Sequence, residues 1–126
     1  LVICISGDAS ILMNIQELST ICQYRLPIKL FIINNSYMGM VKQWQDLFYE
    51  NRYSQSYTDS LPNFEKLAES FGIKGMTCVN VDELEGKINE AISHDGPVVF
   101  NCIVSQNAHV MPMIPAGAAH NELVKK

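Results

Sequence analysis

Two short apolar runs, Leu1-Val2-Ile3-Cys4-Ile5 and Leu30-Phe31-Ile32-Ile33, each end at a polar turn, Ser6-Gly7-Asp8-Ala9-Ser10 in the first case and Asn34-Asn35 in the second. Between them Ile11, Ile15, Leu18 and Ile21 recur at helical spacing. Pro27 stops that helix, since the residue before a proline is driven out of the helical region. Strand, helix, strand makes a βαβ unit, whose strands are parallel and whose crossover is right-handed. Both strand ends then face one edge of the sheet, and Asp8 meets Asn35 although they are far apart in the chain. In detail, Leu1–Ile5 is expected as a strand buried on both faces, Ser10 or Asn14 as a helix cap, and Ile28–Ile33 as the second strand.

The rest of the chain keeps the alternation. A helix is expected from about Met38 to Tyr49, and Met40, Val41, Trp44, Leu47 and Phe48 are too apolar for a freely solvated one. Asn51 to Leu61 reads as a loop. Pro62 suits the first turn of a helix with Phe64, Leu67, Ala68 and Phe71 on one face and Gly72 at its stop. Ile73–Val79 is a strand interrupted by Gly75, and Val81–Ser93 is a helix with Asp82 near its start and Leu84, Ile88, Ala91 and Ile92 inward. After the turn Asp95-Gly96-Pro97, Val98–Val104 is the last strand. The fold class is therefore α/β, a mostly parallel sheet flanked by helices over residues 1–104. Residues 105–126 form an irregular C-terminal segment. Its stretch Val110-Met111-Pro112-Met113-Ile114-Pro115 is too apolar for a free tail, so it should pack on the domain or its site.

Composition removes several classes of function. With 48% hydrophobic and 17% charged residues over 126 positions, the chain builds a core and is not disordered. A net charge of −4 argues against nucleic acid as the partner, and the final Lys125-Lys126 reads as a solvated tail. No apolar run nears the roughly 20 residues that span a bilayer. The chain opens inside a strand, without an initiator Met, and is expected to be a piece of a longer polypeptide. Cys4, Cys22, Cys78 and Cys102 show no Cys-x-x-Cys spacing and read as small buried hydrophobes of a reducing compartment.

At the paired strand ends, Asp8 offers charge, Asn35 a neutral oxygen, and a backbone carbonyl just beyond Asn35 a third ligand. That set suits Mg²⁺, which takes oxygen ligands and shares them with phosphate and water. Gly7 allows the sharp turn, the next helix N-terminus favours a phosphate, and ligand crevices of open α/β sheets lie at strand carboxyl ends. By spacing alone the same residues also read as ordinary strand-ending turns. There is no dinucleotide fingerprint, no Walker A lysine and no His-Glu-x-x-His. His94, His109 and His120 are scattered, as surface or packing residues are.

Gly7-Asp8-Ala9-Ser10 followed by Asn34-Asn35 resembles the thiamine diphosphate signature, whose usual form is Gly-Asp-Gly with a later Asn-Asn. Further along, Asn14-Ile15-Gln16-Glu17-Leu18, Gly39-Met40-Val41-Lys42-Gln43-Trp44-Gln45, Leu47-Phe48-Tyr49-Glu50 and Met111-Pro112-Met113-Ile114-Pro115-Ala116-Gly117 resemble acetohydroxyacid (acetolactate) synthase over nearly the whole chain, as its C-terminal cofactor-binding domain. The resemblance implies thiamine diphosphate and Mg²⁺ as cofactors. Asp8, Asn35 and the Tyr37 carbonyl would be the metal ligands. Gly7, Ala9 and Ser10 would line the diphosphate, and Met38, Gly39 and Met40 would approach the cofactor. Met40, Val41, Trp44 and Phe48 would form the acceptor-substrate and inhibitor pocket. Ala9 departs from the usual glycine, and its methyl disfavours close backbone approach.

The resemblance implies further that pyruvate and a second 2-oxo acid are the substrates, within branched-chain amino acid biosynthesis. The full-length subunit would be a homodimer or tetramer with, in some members, a regulatory subunit, and FAD would be held only by a middle domain outside this chain. The location would be cytoplasmic in a bacterium, or plastid or mitochondrion in a eukaryote. No catalytic residue falls in this stretch: the activating glutamate belongs to the family's N-terminal domain, and neither Glu17 nor Glu50 takes that role. The fragment alone is expected to be inactive. Two other readings keep Asp8 and Asn35: another 2-oxo acid enzyme such as pyruvate oxidase, and a non-catalytic binding module.

Overall fold

The computed structural model describes residues 1–125; Lys126, the end of the expected tail and of the 105–126 segment, lies outside the described residues. Four strands, β1 (Val2–Gly7), β2 (Ile28–Asn34), β3 (Lys74–Cys78) and β4 (Val98–Ile103), make one sheet in the order β1-β2-β4-β3. All three pairings are parallel, with Val2 opposite Ile28, Lys29 opposite Val98 and Lys74 opposite Val98. The helices are α1 (Asp8–Ile11), α2 (Glu17–Gln23), α3 (Gly39–Phe48), α4 (Phe64–Ser70) and α5 (Leu84–Ser93). Among the described residues no helix is long and apolar enough to cross a membrane.

Helices cover both faces. Leu18 of α2 and Phe64 and Ala68 of α4 bury themselves against Leu30, Ile32 and Val99 on one face. Ala91, with Leu84 and Ile88 of α5, packs on Val98, Phe100 and Cys102 of β4 and on Met76 and Cys78 of β3 on the other. Burying one such large apolar side chain contributes about 1.5–3 kcal/mol, so these two clusters hold the sheet together.

Several expectations need correction. β1 is not buried on both faces: it is an edge strand, and Val2, Ile3 and Ile5 are exposed, as is Cys4. Apolar continuity reports a strand's composition; burial also needs cover over both faces, and neither core cluster includes a residue of β1. Of the four cysteines, all free thiols, only Cys78 and Cys102 are buried. The helix after β1 is split by a 3-10 turn at Leu12–Asn14, and neither Ser10 nor Asn14 caps it, because helical geometry begins at Asp8 itself. Asn63, not Pro62, heads α4: its side chain accepts from the Lys66 N–H at 2.9 Å. Asn80 plays that part before α5, accepting from the Asp82 N–H at 3.1 Å within a 3-10 turn at Val81–Glu83. Ile92 lies on the outer side of α5 and is exposed. β3 and β4 each stop one residue short of their expected ends, Val79 and Val104.

Gly75 is no defect in β3. A Cβ there would come within 2.7 Å of the Glu65 Cα, so the missing side chain is what lets α4 lie against the strand. Lys29 is fully buried in β2 and donates to the His94 carbonyl at 2.6 Å and to the Gly96 carbonyl, which ties the Asp95-Gly96-Pro97 turn to the sheet.

Candidate functional site

At the carboxyl edge of the sheet β1 delivers Asp8 and β2 delivers Asn34 and Asn35. Asp8 is 2% exposed, and its carboxylate is held by backbone alone: Oδ1 accepts from the Ala9 N–H at 2.7 Å and Oδ2 from the Ser36 N–H at 2.6 Å. Among the described residues no Lys, Arg or His pairs with it. A buried carboxylate without a cationic partner is costly, and an ionised carboxylate has acceptor capacity beyond two hydrogen bonds. A cation beside Asp8 would supply the missing partner charge.

The two asparagines divide the work. Asn34 turns inward, donating to Asn101 Oδ1 on β4 at 3.1 Å and accepting from the Ser36 N–H at 3.1 Å. Asn35 accepts from the Tyr37 N–H at 3.0 Å, which closes a tight side-chain turn. Ser36 sits at φ 57°, in the left-handed region, and its N–H reaches both Asp8 and Asn34. Behind this turn the 51–61 loop pairs with it: Met38 N–H reaches the Ser56 carbonyl at 2.8 Å and Thr58 N–H the Ser36 carbonyl at 2.9 Å.

A cavity of about 400 Å³ opens between these turns. Gly7, Asp8, Ala9, Ser10, Asn35, Tyr37, Met38, Gly39 and Met40, the nine residues expected at the cofactor, all line it, together with Val41, Met13 and Ile33. Gly39 packs closely there: a Cβ would come to 3.2 Å from Asn35 Nδ2, so the Asn35 side chain would have to shift by a few tenths of an ångström. The anion-holding part of the expectation changes in kind. α1 is a single four-residue turn, too short for an extended helix dipole, and the Ala9 N–H is already given to Asp8 Oδ1, so the Ser10 N–H is the first-turn donor left for an anion. The donor set is oxygen only, and among the described residues no three His, Cys, Asp or Glu side chains cluster as a metal group. Oxygen donors suit a hard cation such as Mg²⁺.

The four residues expected in the substrate pocket do not share one cavity. Met40 and Val41 line the first. Trp44 and Phe48 line a second, of about 480 Å³, with Tyr49 and the segment Met113–Ala116. Nor does α3 turn its apolar face inward: Met40, Trp44 and Phe48, four residues apart, are 46%, 50% and 49% exposed, while Lys42, Gln43 and Gln45 are buried.

Residues 1–102 match a family described as thiamine pyrophosphate enzyme, C-terminal TPP binding domain. The chain belongs to this family. As the resemblance predicted, this TPP-binding domain is similar to acetolactate synthase large subunits: it is 50% identical to that of Porphyra purpurea over 98% of its length and 52% identical to that of Haemophilus influenzae over 98%. It spans about one-fifth of these relatives, 21% and 22% of their lengths. In fold it is like the thiamine diphosphate-dependent 4-hydroxybenzoylformate decarboxylase of Rhodococcus jostii RHA1, with a TM-score of 0.74 at 21% identity over 82% of this chain and 19% of that one.

Sequence reasoning missed Ser36 and the Asn34–Asn101 pair, which aim the site from behind. One signal was present: Asn101 is a lone polar residue within the apolar strand Val98–Ile103, and a buried amide needs a partner. A second miss is the cluster around Asp46. It accepts from Lys42 Nζ at 2.9 Å, Tyr53 OH at 2.5 Å and His109 Nε2 at 2.6 Å. Burial alone would push the Asp46 carboxyl up, but the hydrogen bonds from Tyr53, Lys42 and His109 outweigh it and hold it at about 2. The same hydrogen bond raises Lys42.

Proposed function

We propose that this domain is the cofactor-anchoring half of an acetolactate synthase active site. The observation that carries the reading is the convergence of Asp8, Asn35 and the Tyr37 turn on one cavity at the carboxyl ends of β1 and β2. Asp8, Asn35 and the Tyr37 carbonyl would hold Mg²⁺. Gly7, Ala9 and Ser10 would lie along the diphosphate, while Met38, Gly39 and Met40 shield the cofactor from water. Thiamine diphosphate, when bound, supplies the electron sink that decarboxylating a 2-oxo acid requires. The chain's own part is to bind, orient and exclude solvent.

The second cavity, with Trp44 and Phe48 on one wall and Met113–Ala116 on the other, would take the acceptor 2-oxo acid, its apolar lining suited to a short alkyl group. Similarity to acetolactate synthase large subunits over 98% of the chain supports pyruvate as donor and a second 2-oxo acid as acceptor. The activating glutamate and the FAD site would lie in other domains of the full-length subunit, which would assemble as a homodimer or tetramer, with a regulatory subunit in some settings. The compartment would be the cytoplasm in a bacterium and an organelle in a eukaryote.

The test is a product assay. The full-length protein with thiamine diphosphate, Mg²⁺ and pyruvate should form acetolactate, and the 126-residue chain alone should form none. Acetolactate from the isolated chain would sink the half-site reading; acetaldehyde or acetate as the main product of the full-length protein would sink the synthase reading.

A further inference from the structure

Helix α3 is amphipathic in the wrong sense, with its polar residues buried and its apolar stripe exposed. The buried polar face has a task. Gln43, 1% exposed, uses its amide as a strand would use its backbone: Nε2 donates to the Val110 carbonyl at 3.1 Å, and Oε1 accepts from the Val110 N–H at 2.7 Å. Nε2 also lies 3.0 Å from the Met113 sulfur. One turn along the helix, Asp46 accepts from His109 Nε2 at 2.6 Å. Two adjacent residues of the C-terminal segment are thus gripped by two side chains three positions apart, which share a helix face.

Among the described residues nothing else grips that segment by hydrogen bonds. Its bridge between Met113 and Val124, and the bonds Ala118 to Pro115 and Glu122 to Ala119, are internal. Among the described residues, every hydrogen bond from residues 105–125 to the rest of the fold ends on Gln43 or Asp46. Directly beyond the grip, Met113–Ala116 pass over Trp44 and Phe48 and form the far wall of the second cavity. Asp46 is itself braced, by Lys42 from its own helix and by Tyr53 from the 51–61 loop.

We propose that Gln43 and Asp46 are positioning residues, clamping the C-terminal segment at His109–Val110 and so setting the width of the cavity between Trp44 and Met113–Ala116. The Met113–Ala116 wall has, among the described residues, no other hydrogen bond to the rest of the fold, so its distance from Trp44 depends on the clamp. The kinetic consequence rests on the reading of this cavity as the acceptor pocket; the clamp does not.

Hydrogen exchange on the full-length protein, together with acceptor kinetics, tests the proposal. Gln43→Leu keeps the volume and removes the amide; His109→Leu, on a partly exposed residue, breaks the second grip without touching the core; His109→Gln keeps a donor for Asp46. Losing one or two hydrogen bonds should speed exchange of residues 108–116 by about tenfold in the two leucine variants. His109→Gln should remain near wild type, and α5 should be unchanged in all three. The acceptor KM should rise by about tenfold with kcat held within about threefold. Unchanged exchange at 108–116 in both leucine variants overturns the clamp, as does exchange that quickens equally in α5. Faster local exchange with an unchanged acceptor KM upholds the clamp and contradicts the acceptor assignment of the cavity.

Discussion

Asp8 and Asn34 share one hydrogen-bond donor. The Ser36 N–H lies 2.6 Å from Asp8 Oδ2 and 3.1 Å from Asn34 Oδ1, so the end of β1 and the end of β2 are joined through a single backbone group. Asn34 is anchored in turn to Asn101 on β4. The cavity-facing carboxylate is therefore fixed by a relay that crosses three strands, and its orientation depends on residues that never reach the cavity.

This relay can be broken at its far end. Asn101→Ala leaves the buried Asn34 amide without its acceptor and should cost about 1–3 kcal/mol in urea unfolding of the full-length protein. Because Asn34 also holds Ser36, cofactor affinity should fall as well. Lost stability with unchanged thiamine diphosphate affinity would show that the relay braces the sheet and not the site.

Gly75→Ala places a methyl against the Glu65 backbone, where neither a strand nor a helix start can yield easily. Overpacking of this kind should cost about 1–3 kcal/mol. A shift of the urea midpoint without a change in slope is the expected signature.

Phe64→Ala empties the core between α4 and the sheet, where Phe64 is 1% exposed. The expected loss is about 3–5 kcal/mol, with cofactor affinity little changed because Phe64 does not line the cavity. Equal losses in stability and in affinity would mean that the two halves of the domain are coupled more tightly than the geometry implies.

Asp46 predicts an acid limb. Its carboxyl is held at about 2 in the fold against an ordinary 3.8, so it binds protons less readily folded than unfolded. The stability it contributes is complete above about pH 4 and is lost as pH falls toward 2. Asp46→Asn should flatten that part of the stability profile, measured as urea midpoint against pH between 4 and 2.

The βαβ unit was legible because its signals are local: apolar runs closed by Gly7 and Asn34, a helical period between them, and Pro27. Asp8 and Asn35 were legible for the same reason, once parallel pairing put both strand ends on one edge. What was illegible depends on position in three dimensions. Ile3 and Ile5 are exposed because neither core cluster reaches β1, and no window of sequence says which strands the helices cover. Trp44 and Phe48 announce an amphipathic helix, but periodicity does not say which side faces the core, and in the fold it is Lys42, Gln43 and Gln45 that are buried. Gly75 looked like a strand breaker because its partner, Glu65, sits on another element.

In the proposed function Asp8 holds the cation of a thiamine diphosphate site. The most direct measurement is calorimetric titration of Mg²⁺–thiamine diphosphate into the full-length protein, wild type beside Asp8→Ala and Phe64→Ala. Wild type should bind, Phe64→Ala should bind nearly as well, and Asp8→Ala should lose at least about a hundredfold in affinity, about 2.7 kcal/mol. Wild-type affinity retained by Asp8→Ala would contradict that role.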